Sequence, residues 1–577
     1  MPKTSPIIAA LSLTVAVCHC QASSASPMPA VIVEPQDQQT KATVTRAIRS
    51  ARQSVDIVVY DLGAQDVLRA LQAARIRLAR NRPASPAIRV MVNPQWFSAS
   101  ATAVQAAYWQ VMMTQLGVDP TTGRSADGVV QFNYAASNFQ ITHQKTLVID
   151  ARRKDGSDYG RASALPASAK AIVATFNLQA YGWPSTWSGS TPGRNCPNNP
   201  RCSFAANTRD FGVVLHDRDQ IFTIERVFSS DFHGPSPTES NLALGLNDPA
   251  ETLVWSNGTL GIAAPPPDGF GNVIAFAADA YPAFPAESSG SGFYPYPYGA
   301  FVADALAAPG QVRAGTVAGN AKAVLLNLIG AAAKAAETGI AAKLYIYNEE
   351  YADTDILAAI NAAAAVGVQV RVLMTFNAGN GSAYQQLVTT ARPDGSPVDA
   401  VVHLYPDTSS YMYLHAKMVY LDLPGGRDDQ VVLGSQNFSP TSLEQNRELG
   451  VRLSAAKGSL SRPASAKLLS TFRRDFAYLG RDVPGCPVVV ISPTNTWNAQ
   501  IAGLNATTGC PVPSSAARRY DTPPLPTAAE TTYFPAPLTG VQNTYQPPLP
   551  QGPITGFTPP AWVLVGADGS RSNCYGD

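Results

Sequence analysis

The feature that most restricts what this chain can fold into is an internal duplication. Residues 41–95 read as helix, strand, helix and strand: KATVTRAIRSARQ is amphipathic, VDIVVYDL is a continuous apolar run, DVLRALQAARIRLAR is helical and AIRVMVN is a second strand. The same order recurs from residue 321, through AKAVLLNLIGAAAKAAE, KLYIYNEE, DILAAINAAAAVG and VQVRVLMTF. The correspondence continues with HQKTLVID against HAKMVYLD, TFNL against SQNF, RDFGV against RELGV, and VFSSDF against TFRRDF. Apolar strands joined through helices by right-handed crossovers call for a mixed, mainly parallel sheet flanked by helices in each half. The expected fold is α/β: two homologous α/β halves packed about a pseudo-twofold axis.

Both halves carry the same chemistry-bearing spacing. His143-x-Lys145 followed by Asp150 is matched by His415-x-Lys417 followed by Asp422. Alternation along a strand puts each histidine and its lysine on one face, so a base and a cation share a surface. The aspartates, at an odd offset, turn away and are expected to hold backbone. Downstream lie Asn177 and Asn437, then Asp210 and Glu448. This two-copy HxKx4D pattern, each copy followed by a Thr/Ser-x-Asn element and a later acid, resembles the phospholipase D superfamily, whose members carry Gly/Ser-x-Asn there. The resemblance covers both halves and leaves out the segment between them and the C-terminal tail.

The chemistry can be followed without the resemblance. A phosphodiester monoanion spreads its charge over two oxygens and resists attack, so a catalyst needs fixed cations and donors around them. Lys145, Lys417, Asn177 and Asn437 are of that kind. One neutral imidazole attacks phosphorus while a second, protonated one supplies the leaving alcohol with its proton; the roles then reverse to release a covalent phosphohistidine. The resemblance implies His143 as nucleophile and His415 as acid and base, with Asp210 and Glu448 as acceptors that orient the rings; the duplication leaves the reverse order open. The scheme requires no cofactor and no metal.

Other residues are candidates for substrate contact. Thr175 and Ser435, two residues before the asparagines, read first as turn supports whose hydroxyls are also in reach of phosphate, and Glu349 ends a strand that points at the site, either to bind a headgroup or to cap the next helix. Trp183 and Trp187 sit in an insertion after Asn177 with no counterpart in the second half. His216, His233 and His403 lack the motif and read as structural.

The remaining chain sets the context. Residues 1–22 have the charge and short apolar core of a secretory signal, with no run long enough to span a bilayer. The net charge of +1 falls to about zero when Lys3 is removed with them, which is unlike a broadly basic nucleic-acid binder. The organisation expected is a first half at 35–234, a Gly/Pro/aromatic-rich connecting segment at 235–318, a second half at 319–484 and a Pro-rich tail at 485–577. Of the five cysteines left in an exported chain, Cys196 with Cys202 is the most local disulfide pair, and Cys486 with Cys510 or Cys574 the next. The reading that follows is a secreted, monomeric phosphodiesterase working on phospholipid at a membrane surface and releasing phosphatidate and a free headgroup, with transfer to an alcohol as a further outcome. A secreted endonuclease of the same superfamily is the alternative. A non-catalytic binding protein on this fold would be expected to have lost one motif, and both are intact.

Overall fold

The computed structural model describes residues 28–34, 40–60, 62, 64–81, 83, 85–92, 112–119, 123–134, 142–178, 208–233, 253–256, 259–262, 303–308, 321–405, 413–426, 428–477 and 488–500. The signal-like residues 1–22, Trp183, Trp187 and all the cysteines lie outside them.

In the first half the strands are β1 (Ala30–Glu34), β2 (Val55–Val59), β3 (Ile88–Val92), β4 (Val118–Asp119), β5 (Arg124–Ser125), β6 (Val130–Tyr134), β7 (Thr146–Ile149), β8 (Lys170–Ala174) and β9 (Thr208–Leu215), with helices α1 (Thr40–Ser50), α2 (Gln65–Leu78) and α3 (Arg218–His233). A hairpin of β10 (Leu253–Ser256) and β11 (Thr259–Ile262) follows. The rest comprises β12 (Ala303–Ala308), α4 (Ala321–Glu337), β13 (Lys343–Tyr347), α5 (Thr354–Ala365), β14 (Gln369–Thr375), α6 (Gly381–Thr389), β15 (Ala400–Tyr405), β16 (Tyr413–Leu414), β17 (Met418–Asp422), β18 (Gln430–Gly434), β19 (Glu448–Ser454), α7 (Arg462–Ala477) and β20 (Val489–Ile491).

Helix α5 illustrates the local logic. Asp353 caps it by accepting from the Ile356 amide (2.9 Å), and Ile356, Ile360, Ala363 and Ala364 form its buried stripe. Just beyond it Gly367 takes a φ of 106°, a conformation that side chains rarely adopt.

The sheets run β1-β9-β8-β7-β2-β3-β6-β5-β4 and β12-β19-β18-β17-β13-β14-β15-β20, so the duplicated sequence yields a duplicated strand order. Each sheet is mixed. Parallel pairing, expected to dominate, is confined to β2-β3-β6, β13-β14-β15 and the short β16 against β9, and the other ladders of the two sheets are antiparallel. The reason lies in the connections: among the described residues α-helices join the first strands of each half, whereas β7-β8-β9 and β17-β18-β19 pair antiparallel in chain order.

Two boundaries also move. Strand β12 pairs with β19 as β1 pairs with β9, so the second sheet begins inside the segment 235–318; the Ala-rich ADALAA gives no strand signal. Strand β20 pairs with β15, and Trp497 stacks on Phe376 (ring centroids 5.5 Å apart), so the first residues of the Pro-rich tail belong to the second half.

One apolar cluster fills the outer side of each sheet beneath its helices, and a third joins the halves. In it Val31, Val173, Phe211 and Val213 pack with Tyr347, Met418, Leu449 and Val451, and with Ile224 of α3 and Phe472 of α7. Burial of both sheet faces is why the strands read as continuous apolar runs.

Candidate active site

Each HxK segment is docked on the acidic strand of the opposite half. Tyr413 and Leu414 pair in parallel with Thr208 and Arg209, and the His415 amide donates to the Arg209 carbonyl (3.2 Å). In the reciprocal arrangement Thr142 bridges Arg447, and the amides of His143 and Gln144 donate to the Arg447 carbonyl (2.8 and 3.1 Å).

Successive side chains of a strand point to opposite sides, so each Arg-acid dipeptide serves twice. The acids face the histidines: His415 Nδ1 lies 2.8 Å from Asp210 Oδ1, and His143 Nδ1 lies 3.0 and 2.9 Å from Glu448 Oε1 and Oε2. The arginines turn to helices across the interface. Arg209 Nε pairs with Asp475 Oδ2 of α7 (2.6 Å) and Arg447 Nε with Asp231 Oδ2 of α3 (2.9 Å). Gln144, beside His143, donates to the same Asp231 (3.0 Å), and the Tyr347 hydroxyl donates to Asp475 (2.6 Å). The two rings are therefore held by carboxylates whose strands are clamped to both halves.

A carboxylate on Nδ1 makes that nitrogen the donor and puts the lone pair of a neutral imidazole on Nε2. The Thr175 hydroxyl donates to Asp210 Oδ1 (2.5 Å) and the Ser442 hydroxyl to Glu448 Oε1 (2.6 Å), fixing both acceptors. Burial, the largest influence, holds His143 below the ordinary imidazole range; Glu448 opposes it, and Lys145 and Lys417 reinforce it. For Asp210, burial works upward but is outweighed by His415, Lys417 and Thr175, which keep the carboxyl below the usual range. Glu448 is depressed in the same way, against its burial, by His143 and Lys145. Lys417 acts on both His143 and Asp210, so the two motif copies share one electrostatic site.

The lysines are buried. Lys145 Nζ donates to the His143 carbonyl (2.8 Å) and stands 5.5 Å from the centre of the Tyr60 ring, which packs edge-on against His143 (5.2 Å). Lys417 Nζ pairs with Glu349 Oε2 (2.9 Å), and the same oxygen accepts from Asn437 Nδ2 (3.1 Å). Tyr413 donates to the other oxygen, Oε1 (2.7 Å). Asn177 and Asn437 are both buried. Gly434 and Gly450 face one another across β18 and β19; a Cβ at Gly434 would come within 2.3 Å of the Gly450 Cα, so side chains are excluded where the strand turns towards Asn437.

Of the motif aspartates, Asp150 holds backbone, as its offset implied, whereas Asp422 departs from that expectation and binds a side chain. Asp150, with a φ of 57°, accepts from the amides of Arg52, Gln53 and Ser54 (2.7, 2.7 and 3.3 Å). Asp422 pairs with Arg473 (2.9 Å).

Thr175 and Ser435 do not fit substrate contact. Both are fully buried; Thr175 is spent on Asp210 and the Phe211 amide, and the Ser435 hydroxyl bonds both backbone groups of Leu449. They stitch the asparagine turns to the acidic strands. Glu349 does reach the site. His403 is structural: its ring stacks on Phe476 and burial pushes it down to about 4.

Sequence reasoning passed over Tyr60, Tyr413, Ser442 and the Arg209–Asp475 and Arg447–Asp231 pairs. The last were legible in principle, since RD/RE and the terminal DF of the closing helices are themselves repeated. Among the described residues no cluster of three His, Cys, Asp or Glu could hold a metal, and no helix is long and apolar enough to cross a membrane.

The family model described as cardiolipin synthase, PLD-like domain, matches residues 328–476. No curated protein sequence matches the chain. Among solved structures, the polyphosphate kinase of Porphyromonas gingivalis is similar over 81% of this chain and 49% of its own, at 12% identity and a TM-score of 0.45; this chain thus spans about half of that enzyme. The phosphatidylserine synthase of Haemophilus influenzae Rd KW20 is similar over 78% of this chain and 86% of its own (11% identity, TM-score 0.42). Nuc from Salmonella typhimurium, a phospholipase D family member, is similar over 30% and 93% respectively (14% identity, TM-score 0.22). The matched region contains the second HxKx4D copy, so residues 328–476 are similar to a phospholipase D-like domain, and the first half carries the same motif outside the match.

Proposed function

We propose that the protein is an exported phosphodiesterase that hydrolyses phospholipids to phosphatidate and a free headgroup. The observation that carries this reading is the crossed pair of carboxylate–imidazole contacts, His143 with Glu448 and His415 with Asp210, each beside a buried lysine.

In the first step the His143 Nε2 lone pair forms a bond to phosphorus, the bond from phosphorus to the leaving oxygen breaks, and that oxygen takes the proton from His415 Nε2. Glu448 offsets the positive charge that grows on the attacking ring. In the second step His415 takes a proton from water, the water oxygen bonds to phosphorus, and the phosphorus–nitrogen bond breaks, returning the electron pair to His143. An alcohol in place of water gives transfer of the phosphatidyl group. Lys145, Lys417 and the two asparagines stabilise the non-bridging oxygens throughout. The depressed basicity of His143 supports its assignment as the nucleophile, because it is neutral at physiological pH.

The test is one purified preparation assayed in EDTA on phospholipid vesicles, plasmid DNA and bis(p-nitrophenyl) phosphate, as wild type, His143→Ala and His415→Ala. The reading predicts headgroup release by the wild type and its loss in both variants on lipid. Cleavage of DNA alone would replace the lipid reading with a nuclease one, and lipid turnover surviving either substitution would refute the two-histidine scheme.

A further inference from the structure

The two halves present different chemistry at one equivalent position. Val58 lies opposite Thr146 across β2 and β7, and Tyr347 lies opposite Met418 across β13 and β17; Thr146 and Met418 each follow their histidine by three residues. Two residues further on, Tyr60 and Glu349 therefore correspond. Tyr60 offers His143 and Lys145 the edge and face of an uncharged ring. Glu349 offers His415 and Lys417 a carboxylate.

That carboxylate stands where substrate charge belongs. Its Oε2 gathers Lys417 Nζ (2.9 Å), Asn437 Nδ2 (3.1 Å) and, at 3.9 Å, His415 Nε2. These are the donors that the proposed reaction assigns to a phosphoryl oxygen and to the leaving alcohol. A phosphodiester entering the site must draw Lys417 and Asn437 away from Glu349, whose side chain is only 13% exposed. A carboxylate at that depth does not readily give up its cation without a replacement. The proximity of Oε2 to His415 Nε2 puts Glu349 on the side from which the leaving oxygen receives its proton, so the replacement has to come from the leaving group.

We infer that Glu349 is a specificity-determining residue that exchanges Lys417 for an ammonium group on the leaving alcohol, selecting phosphodiesters of amino alcohols over those of neutral alcohols. The inference rests on the phosphodiesterase reading and refines it. Tyr60, having no charge, does not impose a matching demand on the portion of the substrate beside His143.

The experiment compares kcat/KM for phosphatidylcholine and phosphatidylglycerol, each diluted in the same neutral detergent, for wild type, Glu349→Gln and Glu349→Asp, with bis(p-nitrophenyl) phosphate as a reference that carries no ammonium. Thermal unfolding confirms that the variants are folded. Wild type should favour the cationic headgroup by roughly tenfold or more, a fraction of the attraction between two unit charges about 4 Å apart in a partly buried site. Glu349→Gln should bring the two lipids to within about twofold, and Glu349→Asp should retain part of the preference. An unchanged ratio in Glu349→Gln, or an equal loss on both lipids and the reference diester, overturns the inference. If His143-dependent turnover of the diester persists while the ratio ignores Glu349, only this inference falls. If the wild type turns over none of the three substrates, the underlying reading falls with it.

Discussion

Glu448→Gln isolates what a carboxylate on the nucleophile contributes. Glu448 is fully buried and both of its oxygens approach His143 Nδ1, at 3.0 and 2.9 Å. Glutamine keeps the shape and can still accept from Nδ1–H through its oxygen, so the variant removes charge and little else. When Nε2 attacks phosphorus, the ring gains positive charge. Two unit charges about 4 Å apart attract by about 4 kcal/mol at the effective dielectric of such sites. Only part of that charge has formed at the transition state, and the neutral hydrogen bond survives, so the net loss should be about 2–3 kcal/mol, or roughly 30- to 150-fold in rate. The assay is steady-state hydrolysis of bis(p-nitrophenyl) phosphate, with kcat and KM measured separately. The loss should fall on kcat, because Glu448 touches the nucleophile and not the substrate. A kcat within about threefold of wild type would refute the assignment of Glu448 as electrostatic support for His143. A drop confined to KM would refute it as well.

Two further outcomes separate fold from chemistry. Asp150→Ala removes the acceptor of three backbone amides and should destabilise the protein by about 2–4 kcal/mol, seen as a lower denaturation midpoint, while the folded fraction keeps its kcat; a kcat lowered at full folding would give Asp150 a chemical role. Stability should also fall on acidification in two stages. His143 and His403 are held below the ordinary imidazole value of 6.5, His403 at about 4, so unfolding takes up protons and stability drops as the pH falls below about 6.5. Asp210 and Glu448 are held below 3.8 and 4.5, so their contribution persists above those values and is lost as the pH falls through their folded-state values. Denaturation midpoints that stay flat between about pH 7 and pH 5 would contradict the first stage.

Most of the architecture could be read from the chain because a duplicated pattern constrains itself. Alternation in HQKTLVID and HAKMVYLD fixed which side chains face the site, and the odd offset of Asp150 predicted its turn towards backbone. Pairing across the halves could not be read, since nothing in one strand states which partner lies beside it. That is why the exchange of Asp210 to His415 and Glu448 to His143 emerged only with the structure. For Thr175 and Ser435 the turn-supporting reading holds and the alternative of phosphate contact does not, because the neighbouring strand claims both hydroxyls. Parallel pairing was overestimated because helix-linked strands are conspicuous in sequence, whereas β7-β8-β9 carries no comparable signal. Tyr60 read as one more apolar strand residue, and only superposing it on Glu349 through the strand register shows that the halves differ there.

The account turns on a covalent intermediate at His143 that His415 is needed to release. With bis(p-nitrophenyl) phosphate the leaving nitrophenolate requires no proton, so His415→Ala should still be phosphorylated but should not activate water for the second step. The direct measurement is the nitrophenolate burst of His415→Ala together with mass-spectrometric mapping of the rapidly quenched protein. The account predicts about one equivalent of nitrophenolate per protein and a p-nitrophenylphosphoryl adduct on His143. Continued turnover without an adduct, or an adduct on any other residue, would contradict it.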